Sequence, residues 1–376
     1  MYKRQTSPYL IGIYDQTTIL PGNSEDAIRP SSAPNPDLRW EKTQSANIGM
    51  DLSLWDNIIS LSVDYYYRKG TDLIGLRMLP LETGYTSTTV NWAQMENEGV
   101  EVALTTRNIH TKDFTWFTNL NFGYNDNTVL RETVAENAIK PSREGYSVGA
   151  IFAYKTAGLD DEGYPLFLTQ DGRKVTATEF FKLNNAGAST LSAEEQRNLY
   201  SYIGSTEPKV SGGFMNTFKY KRVTLGINCI FNFGMYVQTT PTYDPTNYDR
   251  GLNSNRDILN RWTPDHTNTT LPKLMTENDG RTGEYLRYKE QNLFRELDIW
   301  VKKQNYFRFE SIRLGYELPE KWLKPVGIKS ASVSLEGRNL WVIASNYHNY
   351  LDPETMGNPY AAPIPKSFIF GLNVNF

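Results

Sequence analysis

The sequence predicts an all-β protein: a transmembrane, antiparallel, up-and-down β-barrel with long extracellular loops. Three observations carry this prediction. Segments of about ten residues alternate between apolar and polar side chains, as half-buried strands do. Aromatic residues make up 13% of the chain, with 24 Tyr, 17 Phe and 8 Trp, and they are common in strands and at membrane interfaces. Short and long links between these segments follow each other in turn, which indicates strands that run up and down.

The alternation is clearest in three segments. Between Phe114 and Tyr124, and again between Val223 and Phe233, every second position is mainly large and apolar, and the positions between are mostly Thr, Asn and Gly. The last segment alternates in the same way and ends at Phe376. Together with weaker repeats of the pattern, this predicts about ten strands. Their approximate positions are 7–14, 43–54, 57–68, 96–107, 114–124, 209–220, 223–233, 306–317, 329–342 and 367–376.

The polar face of these strands favours a barrel over a soluble sandwich. It is rich in Asn, Ser, Thr and Gly and poor in charge, which suits a hydrated lumen better than bulk water. The alternation alone does not identify the face that meets lipid. We expect Cys229, on the apolar face of its strand, to be a small packed or lipid-facing side chain.

The links predict the orientation of the strands. Tight links are expected at 55–56, 109–113, 221–222 and 319–329, and long links at 69–95, 126–208, 237–305 and 343–365. In an up-and-down barrel the tight links are periplasmic and the long ones extracellular, so the last strand ends in the periplasm. Trp322 is then expected at the membrane interface. Within the long links, Ser192 is expected to cap a short helix, and no further strands are expected.

Composition excludes several other classes. Lys and Arg number 39 against 42 Asp and Glu, for a net charge of -3, so nothing indicates a nucleic-acid partner. A single cysteine permits no intramolecular disulfide. No run of about 18 apolar residues predicts a membrane-spanning helix. The N-terminus shows no apolar signal segment, and we therefore expect the chain to be a fragment that lacks its front.

Two local motifs suggest chemistry, and both have a simpler interpretation. Residues 145–149 fit the G-x-S-x-G pattern of a nucleophile elbow, but their flanks are loop-like and no paired histidine stands out, so a turn is expected. Residues 160–163 read Asp-Asp-Glu-Gly and could hold calcium, but a β-turn is favoured. We predict no catalytic residue, no metal and no cofactor.

Aromatic residues in the long links are the candidate contacts for a ligand or a partner. Their rings could stack on sugars or pack against peptides, with neighbouring Asp and Asn providing hydrogen bonds. The alternative is that they fold the links or contact a partner protein. The candidates are Trp92, Tyr243, Tyr248, Trp262, Tyr347 and Tyr350.

Several sequence blocks resemble a known family. They are NPDLRWEKT (35–43), VDYYYRK (63–69), EGVE (98–101), YKTAGLD (154–160), NRDILNRWTP (255–264), RLGYELP (313–319), GRNL (337–340) and LDPE (351–354). In this order they resemble the C-terminal part of SusC/RagA-type TonB-linked outer-membrane proteins of the Bacteroidetes. The resemblance runs from about residue 35 to residue 376.

This resemblance implies that residues 1–376 are the C-terminal portion of a barrel of about 22 strands whose plug domain and signal peptide are absent from this chain. It implies import of a bulky nutrient, a glycan or a peptide, across the outer membrane, together with a SusD-like surface lipoprotein and with TonB. The terminal Phe376 resembles the signal that barrel assembly reads. A soluble or surface-bound β-rich carbohydrate-binding module is the alternative, which requires the aromatic strand faces to pack against a second sheet.

Overall fold

The structure is a computed structural model that describes residues 13–18, 26–85, 87–135, 137–247, 254–345, 352–358 and 360–376. Its strands are β1 (Ile13–Thr18), β2 (Asp26–Ala33), β3 (Lys42–Leu54), β4 (Ile59–Met78), β5 (Ser87–His110), β6 (Phe114–Arg131), β7 (Ala150–Ala153), β8 (Thr156–Leu159), β9 (Pro165–Leu168), β10 (Lys174–Val175), β11 (Ser201–Ser205), β12 (Val210–Tyr220), β13 (Val223–Phe233), β14 (Tyr236–Gln238), β15 (Val301–Lys303), β16 (Tyr306–Glu317), β17 (Ser330–Ala344) and β18 (Ser367–Asn375).

The helices are short. The α-helices are α1 (Ala177–Phe181), α2 (Ala193–Arg197), α3 (Thr282–Gln291) and α4 (Glu320–Leu323), and 3-10 turns occur at Leu81–Thr83, Arg256–Asn260, Glu277–Asp279, Leu293–Glu296, Asp298–Trp300 and Lys324–Val326. Ser192 caps α2 in a capping box with Glu195, so the predicted cap is confirmed. None of the helices in the described ranges has the length and hydropathy needed to cross a membrane.

Eleven strands form one large sheet, which we call the wall. Nine of them pair with their neighbours in chain order as an antiparallel series, β3-β4-β5-β6-β12-β13-β16-β17-β18. The hairpin of β1 and β2 joins β5 through a short parallel contact. This order confirms the predicted up-and-down arrangement, and β13 and β16 have the predicted bounds.

The prediction of a long link at 69–95 is wrong. Strand β4 continues to Met78 and β5 begins at Ser87, so Trp92 lies in a strand and not in a loop. The pairing slips between Gly70 and Leu73, where Asp72 adopts a φ of 55°. This bulge interrupts the alternation that the prediction followed.

The two faces of the wall differ in chemistry. Leu335 lies between Leu314 and Phe370 in the register, and these three side chains are 53%, 51% and 73% exposed. The next position, Ser334, lies between two glycines on the other face. Large apolar side chains that are left bare along many strands need lipid around them, because water would disfavour them. The apolar face is therefore the outer one.

The sandwich alternative is wrong for the same reason. No second sheet covers the apolar face within the described part of the chain: Phe368 and Leu372 on β18 are 72% and 63% exposed. Cys229, also on the outer face, is fully buried opposite Phe214 and Phe309 in the register. It is a packed side chain, as predicted.

The two longest links, 132–209 and 234–305, fold together beside the wall. We call their described residues the outer-loop assembly. Contrary to expectation, they contain strands of their own: β8, β9 and β10 form one small sheet, β7 pairs with β11, and β14 pairs with β15. Backbone hydrogen bonds join the two links, from Tyr154 N–H to the Glu296 carbonyl (2.8 Å) and from Asp298 N–H to the Tyr154 carbonyl (3.0 Å).

Candidate functional site

The outer-loop assembly contains a hydrophobic core. Phe181 and Phe167 are fully buried, and their ring centroids are 5.3 Å apart, edge to face. Tyr154 stacks on Tyr200 with 4.1 Å between the ring centroids, and edge-to-face pairs such as Phe167 and Phe181 add stability beyond the area they bury. The buried members of the core are Tyr154, Tyr164, Phe167, Val175, Ala177, Phe180, Phe181, Tyr243, Met275, Tyr285, Tyr288, Leu293, Phe294, Leu297 and Trp300. The links therefore form a packed body at the end of the wall from which they leave.

The Asp160 turn joins the two links. Asp160 Oδ1 accepts hydrogen bonds from the N–H groups of Glu162 (3.0 Å) and Tyr164 (2.9 Å), and its carbonyl accepts one from Gly163 N–H (3.0 Å). Arg281, from the second link, pairs with Asp160 at 2.6 Å and with Glu162 at 2.9 Å. The β-turn interpretation of 160–163 is confirmed. Its carboxylates stabilise the turn and pair with Arg281.

A second polar contact lies beside this turn. The Tyr164 hydroxyl donates to Asp279 at 3.0 Å, and Lys273 Nζ lies 3.0 Å from the same carboxylate. Burial raises the pKa of Asp279, but hydrogen bonds from Thr276, Lys273 and Tyr164 outweigh it and lower the pKa to about 2. The carboxylate therefore stays charged at neutral pH and holds the two links together.

The larger cleft of the assembly has a volume of about 990 Å³. Tyr243, Tyr288 and Phe294 line it, and amide, hydroxyl and charged side chains surround these rings. Tyr360, from the last outer loop, contributes to the cleft and is 95% exposed. The other lining residues are Gln238, Thr239, Thr240, Pro241, Asp244, Gln291, Asn292, Arg295, Glu296 and Gly357. Such a surface combines hydrogen-bonding groups with apolar contact area.

A smaller cleft of about 610 Å³ lies within the first link. Val175 and Phe180 are its buried apolar lining, and exposed Lys155, Arg173 and Glu179 are among its charged residues. Residues of the β8-β9-β10 sheet, α1 and the segment after α2 contribute to it. Both clefts belong to the end of the wall from which the long links leave, which we call the outer end.

A buried ion-pair cluster fixes the last outer loop to the wall. Arg308 lies on the inner face of β16, with its side chain 3% exposed, and its guanidinium pairs with Asp352 and with Glu354 (2.6 Å). The Asp352 carboxylate also accepts a hydrogen bond from Glu354 N–H at 3.0 Å. Pro353 is fully buried and Met356 is 5% exposed. We call this arrangement the Arg308 clamp. It places residues 352–358, and therefore Gly357, against the larger cleft.

The structure separates the predicted aromatic candidates. Tyr243 is 7% exposed, donates its hydroxyl to the Pro272 carbonyl at 2.7 Å and lines the larger cleft. The half-buried Trp262 ring covers Gly163, where a Cβ atom would lie 2.5 Å from it. Trp92 is 44% exposed, with the Arg131 guanidinium 3.3 Å from its ring centre.

These three residues therefore lie in different surroundings, and of the three Tyr243 alone lines one of the two clefts described above. A ligand role for any of them stays a prediction. Tyr248, Tyr347 and Tyr350 lie outside the described residues. Phe376 follows β18 and is 79% exposed, and its role in barrel assembly also stays a prediction.

The G-x-S-x-G segment has the geometry of a turn. Ser147 Oγ donates to Ser205 Oγ at 2.6 Å, and the Tyr146 ring stacks on Tyr202 with 4.6 Å between centroids. Gly149 lies against Thr206, whose hydroxyl would be 2.3 Å from an added Cβ atom. The Ala150 N–H donates to the Ser147 carbonyl at 3.0 Å, as in the expected turn, and the side-chain contacts join the start of the first link to its end.

The Arg308 clamp and the two clefts were not among the predicted site residues. A signal for the clamp was present in the sequence, because the LDPE block at 351–354 is an acidic motif in a long link and Arg308 is a charge within an alternating strand. Neither feature shows its partner, which lies 44 residues away. The clefts gave no signal because their linings come from several distant segments.

Residues 7–340 match the family model described as TonB dependent receptor-like, beta-barrel. The chain is 27% identical over 375 residues to TonB-dependent receptor P3 of Formosa agariphila. The aligned region covers 91% of this chain and 35% of that protein. It is 23% identical over 367 residues to TonB-dependent receptor SusC of Bacteroides thetaiotaomicron, and this aligned region covers 91% of this chain and 32% of that protein.

A solved structure resembles the fold over nearly the whole chain. The RagAB peptide importer in its "closed-closed" state superposes with a TM-score of 0.73 at 25% identity, covering 98% of this chain and 39% of that chain. The present chain therefore spans about a third of the length of these curated relatives.

Proposed function

The chain belongs to the TonB-dependent receptor-like β-barrel family, a family of outer-membrane transporters, and from this membership we propose that it forms the C-terminal wall and the outer loops of a nutrient importer. The complete protein would carry a bulky nutrient, a glycan fragment or a peptide, across the outer membrane. TonB would supply the energy through the plug domain of the complete protein. No catalytic step is part of the proposal.

One observation carries the proposal. The outer-loop assembly is a packed body that holds two clefts, each with polar and charged residues in its lining, at the outer end of a wall whose outside is apolar and whose inside is polar. A nutrient that approaches the cell meets these clefts before it meets the lumen. The lumen side carries residues such as Thr217, Asn228 and Ser332, which suit passage of a hydrated solute.

The lining of the larger cleft suits both proposed substrate classes. Gln238, Gln291 and Asn292 could bond the amides of a peptide or the hydroxyls of a sugar. Arg295 and Glu296 could pair with the charges of a peptide, whereas the exposed Tyr360 ring could stack on a sugar. The similarity to the RagAB peptide importer supports a peptide and the exposed Tyr360 ring in the cleft supports a glycan, so we keep both classes.

The partner in the proposal is a SusD-like surface lipoprotein, as in the family that the chain resembles. It would cover the outer-loop assembly and enclose the clefts. Exposed Leu259, at 70%, and Tyr360, at 95%, provide apolar contact area on that side. Their exposure supports a covering partner, since large exposed apolar side chains often mark interfaces.

Uptake by cells that express the full-length protein tests the proposal. The probes are a fluorescently labelled casein digest and a panel of labelled oligosaccharides, given to a strain that lacks the native gene. We expect the full-length protein to restore uptake of one probe class, and removal of TonB to abolish it. Uptake that does not depend on the gene for either class would contradict the proposal.

Substitutions in the larger cleft sharpen this test. Arg295→Ala combined with Tyr360→Ala should lower uptake at least several-fold without changing the amount of protein in the membrane, because it removes a charge and a ring from the lining. Arg256→Ala is the matched control, an exposed arginine of the same assembly outside both clefts. Equal uptake by the cleft variant and the control would exclude this cleft from the transport path.

A further inference from the structure

A group of basic and aromatic residues lies at the periplasmic end of the wall. We call Tyr220, Lys221, Lys321, Trp322 and Lys324 the basic rim. Tyr220 ends β12 on the outer face, opposite Phe114 and Val223 in the register, and it is 55% exposed. The Lys221 ammonium lies 5.4 Å from the centre of the Tyr220 ring. This ring and this charge therefore belong to the lipid-facing side of the tight turn.

Helix α4 provides the rest of the basic rim. Leu323 is 6% exposed and lines a recess inside the wall, whereas Trp322 beside it is 58% exposed. The side chain of Lys324 is 77% exposed, and its pair with Glu320 at 3.3 Å lies in solvent, where such pairs are weak. The residues just before α4 contact the turn at 221–222 directly, because Arg222 donates to the Leu318 carbonyl at 3.0 Å.

Charge is distributed unevenly between this end and the rest of the chain. The periplasmic turns and their flanks, at 55–58, 107–114, 219–223 and 317–329, carry eight Lys and Arg residues but only four Asp and Glu residues. The whole chain has a net charge of -3. Within the described part of the chain, neither Lys221 nor Lys321 has a carboxylate within ion-pair distance. Their charges are available to an external anion.

The position of the basic rim at the membrane surface indicates the kind of anion that it would bind. Tyr and Trp rings favour the headgroup level of a membrane, and lysine ammonium groups extend from apolar surface toward that level. Phospholipid phosphates lie there, and basic side chains near a surface attract anionic lipids. We propose that the basic rim binds the phosphate of an anionic phospholipid in the periplasmic leaflet, with the acyl chains along the apolar face above Tyr220.

Lipid retention by the purified full-length transporter tests this site. The protein is exchanged into mixed micelles that contain equal amounts of phosphatidylglycerol and phosphatidylethanolamine, and bound lipids are counted by native mass spectrometry. We expect phosphatidylglycerol to be retained in excess. The combined variant Lys221→Gln and Lys321→Gln should lower its retention at least twofold and leave phosphatidylethanolamine unchanged. The combined Lys→Arg variant should retain phosphatidylglycerol as the native protein does.

A matched control lies at the opposite end of the molecule. Lys289 lies 5.4 Å from the Tyr285 ring centre in the outer-loop assembly, the same distance as Lys221 from Tyr220. Lys289→Gln combined with Lys174→Gln therefore removes two exposed lysines away from the membrane, and it should leave lipid retention unchanged. Equal retention of phosphatidylglycerol by the rim variant and the native protein, or equal loss in the control, would overturn the proposal.

A second measurement does not depend on the lysine variants. Brominated phosphatidylglycerol quenches tryptophan fluorescence on contact, and we expect it to quench the full-length protein more than brominated phosphatidylcholine does. Trp322→Phe should remove most of this difference. The same difference in the Trp322→Phe variant as in the native protein would place the bound lipid elsewhere and overturn the assignment.

Discussion

The wall and the outer-loop assembly place their apolar side chains in opposite ways. On β18, Phe370 is 73% exposed, whereas Phe181 in the assembly is fully buried. The wall leaves its apolar surface to lipid and is held by continuous backbone ladders. The assembly buries its apolar surface within itself, as a water-soluble domain does. One chain therefore keeps its apolar side chains away from water in two ways, against lipid in the wall and inside a core in the assembly. The same kind of substitution should therefore have different consequences for stability in the two regions.

The largest expected effect is the loss of a ring from the core of the outer-loop assembly. Phe181→Ala should lower the free energy of unfolding of the assembly by about 3–5 kcal/mol, because it leaves a cavity beside Phe167 and Phe180. Hydrogen–deuterium exchange of amides in residues 154–200 of the full-length protein measures this change. Phe370→Ala is the control, and it should change exchange in the assembly very little. Equal protection of the amides at 154–200 in the Phe181→Ala and Phe370→Ala variants would contradict this difference between the assembly and the wall.

The Arg308 clamp joins the two regions, so breaking it should separate them. Arg308→Gln leaves Asp352 and Glu354 without their cation, at a cost of about 3–5 kcal/mol, as is usual for one partner of a buried pair. We expect residues 352–358 to become sensitive to protease in the full-length protein. Arg338→Gln removes an arginine from an exposed pair with Glu336 and should cost about 0–1 kcal/mol. Unchanged protection in the Arg308 variant would contradict the role of the clamp.

Neighbouring positions of one strand test the assignment of faces in the wall. Leu335→Arg places a charge in lipid and should cost about 2–4 kcal/mol near the middle of the membrane. Ser334→Arg places the same charge on the inner face, where water can solvate it, and should be tolerated better. The heat-dependent gel mobility of the membrane fraction reports the folded amount of each variant. Better folding of the Leu335 variant than of the Ser334 variant would reverse the two faces.

The smallest expected effect is a pH dependence confined to the outer-loop assembly. The pKa of Asp279 is about 2 in the folded protein, below the usual value of about 3.9 for an aspartate in an unfolded chain. Its stabilisation is therefore complete above about pH 4 and is lost as the pH falls toward 2, about 2 kcal/mol in all. Stability of the assembly between pH 5 and pH 2, followed by hydrogen exchange, measures it.

Asp279→Asn is the control for this pH dependence. The variant should be less stable at pH 5 and should show a shallower loss on acidification, because its amide does not titrate. Equal slopes for the variant and the native protein would show that other carboxylates cause the acid sensitivity.

The sequence predicted the nine strands of the antiparallel series in the wall well, because lipid on one side and a wet lumen on the other enforce a strict period of two. It did not predict β2, and the strand predicted near 7–14 meets β1 only at 13–14, since 7–12 lie outside the described residues. Where that period breaks, at the Gly70–Leu73 bulge, the prediction ended β4 early and placed Trp92 in a loop. The strands of the outer-loop assembly are two to five residues long, too short to show a period. The core of the outer-loop assembly depends on contacts between segments that are distant in the sequence.

The candidate site was harder to predict than the fold. The sequence predicts aromatic residues of the long links as ligand contacts, but burial decides the role of each ring. Tyr243 packs in the core, whereas Tyr360, which was not among the predicted contacts, is exposed at the larger cleft. Composition does not distinguish these two tyrosines. The distinction arises from the packing of the two links against each other and from the loop that the Arg308 clamp holds.

The most direct test of the account is the periodicity of lipid contact along β18. Nitroxide labels on single cysteines at successive positions from 367 to 375, in the full-length protein with Cys229 replaced by alanine, report contact with membrane-dissolved oxygen or with an aqueous nickel complex. We expect oxygen contact to be highest at Phe368, Phe370 and Leu372, which face outward, and the nickel complex to reach the positions between them. Labels that meet only water, or oxygen contact without a period of two, would contradict it.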